Sequence, residues 1–366
     1  MLAESILKTG FDSVSQRFIH TLVFNFSEFK FVESATVPET AQRAFYDLLV
    51  KIILTLYNDP AILKLPLDQD DVLDTCSVYK PELKKTIVKI RNEVAMFYAF
   101  LLHTGYNGEI NETSLTVDTE RLPSIKVKGP YLSADLKAKK PFYTLLNAVG
   151  FHCAETGRQI TISCDNAGML QAWKLLSQRC LHRQSPEYHF AFALFDDNMS
   201  WWLRRVENAA GLPPSFFDFY EKSYLKKGYV KSIDLSGGRI RYELKGKISG
   251  FKFQYEPMTR SDAVEFSTLN GIGFKAMLAD FDLLDESVKE LAFKTAARCN
   301  YCGGCTKGAD IDTFTVNVSY KGEEYAICPQ FPQLSWSTDF NRDVMDAIVK
   351  FNGLQEKYGR QWKMPK

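Results

Sequence analysis

Apolar residues recur along the chain in two rhythms, and the switches between them divide it into elements. Ala41, Phe45, Leu48, Leu49, Ile52, Ile53 and Leu56 fall at steps of three and four, the spacing of one helix face. Thr36-Val37-Pro38-Glu39 ahead of them has the form of a capping box with proline in the first turn, and Pro60 closes the helix. Pro81 opens a second helix, whose stripe Leu83, Ile87, Ile90, Val94, Phe97 and Leu101 runs to Gly105, a C-terminal stop. Two helices of this kind are expected to pack on each other. With only about three heptads, an intramolecular core is favoured over a coiled-coil dimer.

Between 107 and 140 the stripes fade while Lys126, Lys128, Lys137, Lys139 and Lys140 gather, which predicts a linker or irregular crossover. An α-β-β-α-β pattern follows. A helix is expected over 142–149, then a hairpin in which Phe151 and Cys153 alternate, Thr156-Gly157 turns, and Ile160, Ile162 and Cys164 return. A helix over 167–183 turns Met169, Ala172, Trp173, Leu176 and Cys180 inward, and 189–195 reads as a strand. Gly211 and Pro213-Pro214 split two further helices, 198–210 and 213–226. The rhythm then changes to two. Ile240, Tyr242 and Leu244 alternate with Arg239, Arg241 and Glu243, and Phe251, Phe253 and Tyr255 alternate with Lys252, Gln254 and Glu256. A helix over 274–297, a hairpin from Phe314 to Ile327 turning at Lys321-Gly322, and a terminal helix carrying Val344, Ile348, Phe351 and Tyr358 complete the chain.

The fold class is therefore α+β. A helical N-terminal domain (1–106) and an irregular stretch (107–140) precede an α/β middle domain with antiparallel hairpins (141–230). An antiparallel β plus helix domain (231–366) follows, with a C-terminal zinc-ribbon-like knuckle, β-hairpin and terminal helix; its metal module spans 298–330. The 366 residues suffice for several cores. With 45 Lys and Arg against 44 Asp and Glu, bulk charge points to neither a nucleic-acid nor a membrane partner. The first thirty residues lack a signal-peptide layout, and the apolar run 48–57 is broken by Lys51 and is too short to span a bilayer. A cytoplasmic location is expected, and there clustered cysteines signal a metal more than disulfides.

That cluster is the sharpest chemistry in the chain. Cys299-Asn300-Tyr301-Cys302-Gly303-Gly304-Cys305 packs three thiols into seven residues, with glycines that permit a tight turn and backbone N–H donation to anionic sulfur. If the hairpin pairs Tyr320 with Glu323, Cys328 lands beside Thr315 and returns to the knuckle as a fourth ligand. Cys299, Cys302, Cys305 and Cys328 are thus the expected metal ligands, with Zn2+ the favoured ion. Such a site has no open coordination position, so it builds structure or presents a surface, with Arg298 and Lys307 flanking it, and does not catalyse. Cys-x2-Cys-Gly-x-Cys with the distant Cys328-Pro329 also resembles the cluster-binding motif of bacterial ferredoxins over about thirty residues. That resemblance implies a [4Fe–4S] cluster and redox chemistry instead, although the second half-motif is absent and a hairpin separates the third and fourth cysteines. A redox dithiol at Cys302 and Cys305 lacks the strand-to-helix setting such sites use.

Other constellations have plainer readings. Arg239, Arg241 and Lys252 should share the polar face of their hairpin, either as an anion or nucleic-acid patch or as an ordinary solvated face, the latter favoured. Trp201-Trp202 reads as core plus boundary, and Cys76, Cys153, Cys164 and Cys180 read as packing. The five histidines show no ligand spacing, and Asn270-Gly271-Ile272-Gly273 is a turn without the rest of a phosphate motif. No motif of a known catalytic set is present. The leading functional expectation is a binding or interaction protein with a structural four-cysteine zinc site, its protein partner unspecified. The rivals are an iron–sulfur redox protein and an enzyme using an inter-domain cleft.

Overall fold

The computed structural model describes residues 13–24, 29–66, 81–122, 140–181, 200–209, 213–234, 239–244, 250–255, 264–268, 284–296, 298–299, 316–327, 335–336, 350 and 353. They form a mixed α+β protein of helices and small antiparallel sheets. The chain divides into two units: Met1–Trp202 with Pro257–Ser261, and Leu203–Glu256 with Asp262–Lys366.

The first unit contains helices α1 (Val14–Phe24), α2 (Glu39–Asn58), α3 (Pro81–Asn107), α4 (Lys140–Ala148) and α5 (Ala167–Leu181). Its strands are β1 (Glu109–Asn111), β2 (Ser114–Asp118), β3 (His152–Thr156) and β4 (Gln159–Ser163), in the order β1-β2-β4-β3 and all antiparallel. The stretch read as an irregular crossover thus contributes half of this sheet at 109–118. Only Leu115 and Val117 turn inward there, too few apolar positions to register as a strand rhythm. They lie across from Ile162 and Ile160, also buried, and this face meets α3 and α5. Thr156 pairs with Gln159, so the turn falls at Gly157-Arg158, one residue later than Thr156-Gly157, and Gly157 takes its positive φ (62°).

The stripe read on α2 is buried throughout, from Ala41 and Phe45 to Leu56. Its start differs from a capping box. Pro38 is the cap residue and no side chain caps it; Ser34 Oγ instead accepts from the N–H groups of Thr36 and Val37. The fully buried Gln42 ties down the approach, donating to the carbonyls of Val32 and Val37 and accepting from the Val32 N–H. A buried amide is tolerated because its hydrogen-bonding groups find partners.

Helix α3 departs further from its amphipathic reading. Val94 through Leu102 are all buried, so this part of the helix is enclosed on every side. Helices α2 and α3 make their main contacts with α5 rather than with each other. At the join, the buried indole of Trp173 on α5 stacks with Phe45 at 6.0 Å and donates from Nε1 to the Leu101 carbonyl at 2.9 Å. Gly105 does not stop α3, which continues to Asn107. A Cβ there would come within 2.2 Å of Ser177 Oγ and 2.6 Å of Trp173 Cδ1, so glycine serves close helix approach. Lysines finish two helices: Lys174 Nζ donates to the Gly108 carbonyl after α3, and Lys51 Nζ to the Val149 carbonyl after α4.

The second unit holds α6 (Ser200–Ala209, whose first turn carries the boundary), α7 (Phe216–Leu225) and α8 (Glu286–Thr295). Its strands are β5 (Tyr229–Asp234), β6 (Arg239–Leu244), β7 (Gly250–Tyr255), β8 (Val264–Thr268), β9 (Val316–Tyr320), β10 (Glu323–Ile327) and β11 (Ser335–Trp336). Five form an antiparallel sheet in the order β11-β8-β7-β6-β5, and β9 and β10 form a hairpin. The hairpin read from the alternation at 239–255 is there, widened by a strand or more on each side. Helix α8 begins at Glu286; the expected residues 274–283 lie outside the described set, as do the strand at 189–195 and almost all of the terminal helix.

Helix α7 lies against β5. Tyr224 meets Tyr229 edge to face at 5.0 Å, and Glu221 accepts from the buried Tyr242 hydroxyl at 2.6 Å and from Lys231 Nζ. Burial, reinforced by the Glu221 carboxylate, pushes the Tyr242 hydroxyl pKa upward, so this tyrosine stays a neutral donor. Ser215 at the α7 cap has φ 64° and no capping bond. The buried Glu207 of α6 takes over by accepting from the Phe217 N–H at 3.0 Å, which also places a carboxylate at the positive helix end.

Replacing Gly105 with alanine should cost the first unit about 1–3 kcal/mol in urea unfolding, despite alanine's better helix propensity of about 1 kcal/mol. An unchanged midpoint would mean that the two helices separate cheaply. His103 on α3 gives a pH signature. Burial lowers its pKa from 6.5 to about 4. Its contribution to stability is full above pH 6.5 and declines as pH falls toward 4, because only the unfolded chain binds the proton in that interval. The loss should reach at most about 3 kcal/mol. His103→Gln should remove that slope from plots of the urea midpoint against pH.

Candidate metal centre

The hairpin at the centre of the thiolate expectation has the register read from its sequence. Tyr320 pairs with Glu323, Val318 with Tyr325 and Val316 with Ile327. Lys321 (φ 50°) and Gly322 (φ 81°) both occupy positive φ, as a type I′ turn requires. Residues directly across an antiparallel pair share a face, so positions 316, 318, 320, 323, 325 and 327 lie on one side. Positions 317, 319, 324 and 326 lie on the other, where Asn317, Ser319 and Glu324 are exposed.

Helix α8 covers the first side through Phe293. Its ring stacks with Tyr320 at 4.6 Å and 16° and meets Tyr325 edge to face at 5.3 Å. The Tyr320 hydroxyl donates to Glu286 at the start of α8, and Lys321 Nζ lies 3.2 Å from the same carboxylate. These two bonds hold the Glu286 carboxyl below its ordinary pKa. Asp285 beside it pairs with Lys350.

After α8 the chain turns extended at Ala296 (φ −62°, ψ 137°) and joins the hairpin. Arg298 forms an antiparallel bridge with Ile327, and the Cys299 N–H donates to the Ala326 carbonyl at 2.8 Å. The Arg298 guanidinium lies 4.2 Å from the Tyr325 ring centroid. Cys299, half-buried and with a free thiol, therefore stands opposite Ala326 on the outer side of the hairpin, away from the face that meets Phe293. Cys302, Cys305 and Cys328 lie outside the described residues, as does Thr315. Among the described residues no group of three or more His, Cys, Asp or Glu is placed to hold a metal ion.

The packing cysteines match their plain reading. Cys164 and Cys180 are buried, and Cys153 lies across from Ile162 on the apolar side of its sheet. Burial pushes the Cys153 thiol up to about 12 and raises that of Cys164, which makes both poor nucleophiles. Cys76 lies outside the described residues.

The basic patch has a different composition from the one its spacing suggested. Arg241 pairs with Lys252 and with Ser232, and Arg239 with Gln254 and Asp234, so positions 239, 241 and 252 do share a face. The same register puts Asp234, Glu243 and Glu265 on that face. By register, three basic and three acidic positions share that face. The opposite face carries Tyr229, Ile233, Ile240, Tyr242, Phe251, Phe253, Val264 and Phe266, which is the alternation of a sheet with one covered side.

Sequence reasoning missed the aromatic contact between α8 and the hairpin and the pairing of 298–299 with β10. Tyr320 and Tyr325 fell within the hairpin expected over 314–327, and Phe293 within the helix expected over 274–297. Among the described residues no helix is long and apolar enough to cross a membrane. No family model, curated protein or solved structure matches the chain.

With its charges offset on one face, the five-stranded sheet should show no salt-dependent affinity for single-stranded oligonucleotides. Fluorescence anisotropy between 50 and 200 mM salt checks this. Binding that weakens steeply with salt and vanishes when Arg239, Arg241 and Lys252 are replaced by serine would reinstate the patch.

Proposed function

We propose that Cys299, Cys302, Cys305 and Cys328 bind one zinc ion as a closed tetrahedral site. On this reading the protein is a binding or interaction protein whose C-terminal module the metal stabilises and presents to a partner. The observation that carries the reading is the pairing at the hairpin base. Arg298 is bridged to Ile327, and Cys299 and Cys328 are the next residues along those two segments. A bridge flanked by a bond such as Cys299 N–H to Ala326 C=O is a non-hydrogen-bonded pair, with Cα atoms about 4.5 Å apart. An extended continuation of β10 by one residue would make Cys328 the diagonal neighbour of Cys299, about 7–8 Å away and on the same side. Two cysteines so related can reach one ion with Zn–S bonds of about 2.3 Å.

The chemistry of the set favours structure over catalysis. Four thiolates fill the coordination shell of zinc and leave no site for water or substrate. The outer side of the hairpin, where Cys299 stands, is its exposed side. A module there is accessible to a protein partner, and Arg298 supplies a cation next to a site of net negative charge.

Metal analysis of the purified full chain tests the proposal. The expected result is a colourless protein with about one zinc per chain, and loss of that zinc when Cys299 or Cys328 is replaced by serine. A brown protein containing iron and sulfide in equal amounts would replace zinc with the iron–sulfur reading and give the module a redox role. Metal-free protein, purified without chelators and unable to take up zinc, would sink both.

A further inference from the structure

We propose that the start of α2 is a docking site for an extended segment of a partner protein, and that residues 29–34 of the chain fill it as an intramolecular ligand. The inference is independent of the zinc reading. Gln42 is fully buried, and its carboxamide both donates to the Val32 carbonyl at 2.8 Å and accepts from the Val32 N–H at 2.9 Å. That exchange of two bonds is what a strand offers the facing residue of an antiparallel neighbour. It reads main chain and does not depend on the side chain at 32. Phe29, three residues earlier, supplies a side-chain contact. Its ring meets Tyr46 edge to face at 5.6 Å, and the Arg43 guanidinium lies 4.3 Å from its centroid. Glu39, one turn earlier on α2, holds Arg43 at 2.9 Å. Gln42 and Arg43 lie four and three residues before Tyr46, so the three form one strip of the helix.

The segment docks as a ligand does. It is neither helix nor strand from 29 to 34, and Lys30, Phe31 and Glu33 are exposed. A foreign segment with an aromatic residue three positions ahead of the gripped one presents the same groups. An empty site is costly, because the buried Gln42 amide would lose its partners. The two occupants therefore exchange, one entering as the other leaves. Ser34 marks where the chain's own segment parts from α2. Its hydroxyl accepts from the N–H groups of Thr36 and Val37, and the buried Val37 keeps its own bond to Gln42. That turn stays with the helix while the residues before it swing away. Two copies trading segments would make the same contacts with no net gain, whereas a different protein brings contacts of its own.

The test uses the full chain and a fluorescent peptide with the sequence of residues 29–36, Phe-Lys-Phe-Val-Glu-Ser-Ala-Thr, read by anisotropy. In the wild type the tethered segment competes at high effective concentration, so the peptide should bind weakly. The Phe29→Ser chain, whose own segment has lost its aromatic contact, should bind it about five- to fiftyfold more tightly. Adding Gln42→Leu to that chain should abolish binding. Arg43→Ser, a change at an exposed position that leaves the core intact, should weaken binding about two- to fivefold. A peptide carrying Phe29→Ser should lose affinity in the same way. No saturable binding by the Phe29→Ser chain up to about 1 mM peptide overturns the proposal. Binding indifferent to Arg43→Ser and to the altered peptide would put the peptide elsewhere and overturn it too. A dimer of the peptide-free chain in sedimentation, dissociated by added peptide, would assign the site to a second copy and overturn the partner reading.

Discussion

The first unit is organised by how closely α3 and α5 approach. Trp173 is wholly buried and needs a partner for its N–H, which it finds in the Leu101 carbonyl of α3. That bond brings the indole against the α3 backbone, and only a residue without Cβ can occupy position 105 beneath it. The remaining contacts follow from this placement. Phe45 stacks on the indole from α2, Phe151 meets it at 5.6 Å from the approach to β3, and Leu115 and Ile162 bring the sheet against the same helices. An enclosed α3 is the outcome, and it explains why Val94–Leu102 carries apolar or small residues at every position and not on one stripe.

The second unit is governed by strand register. One choice of pairing separates an aromatic face from a charged face across the five-stranded sheet, and another separates an aromatic face from a polar one across the β9–β10 hairpin. In each case a helix lies on the apolar side and engages it through tyrosines. Helix α7 uses Tyr224 against Tyr229 and Glu221 against Tyr242, and α8 uses Phe293 against Tyr320 and Tyr325. A tyrosine suits this position because its ring packs inward while its hydroxyl reaches a carboxylate at the rim. The hydroxyl bonds to Glu221, Glu286 and Glu323 all have that form.

Elements with long, regular apolar rhythms were legible in the sequence. The α2 stripe, the turn at Gly157, the alternation of 239–244 with 251–255 and the Tyr320–Glu323 register all follow from local spacing. Features settled by contacts distant in sequence were not. Gly105 looked like a helix stop because the helix it must accommodate begins about sixty residues later at Ala167. Likewise, Asp234 and Glu265 come from separate strands, so their presence beside Arg239, Arg241 and Lys252 required the sheet order. For the thiolate set, spacing gave the candidates. The side on which Cys299 stands came only from the bridge between Arg298 and Ile327.

That side bears on why a metal would be needed at all. A two-stranded hairpin is marginal by itself, and a helix of ten residues supplies cover for one face only. Phe293 and its two tyrosines stabilise the inner side, whereas Asn317, Ser319 and Glu324 expose polar side chains on the outer side. Under the zinc reading, the ion would act on that polar side, joining Cys299 to Cys328 at the hairpin base. Its ligand bonds would restrain the unfolded chain and contribute folding free energy without a second hydrophobic layer. The exposed side would then stay polar, rigid and open to a partner. A hydrophobic layer of equal stabilising effect would have covered that surface.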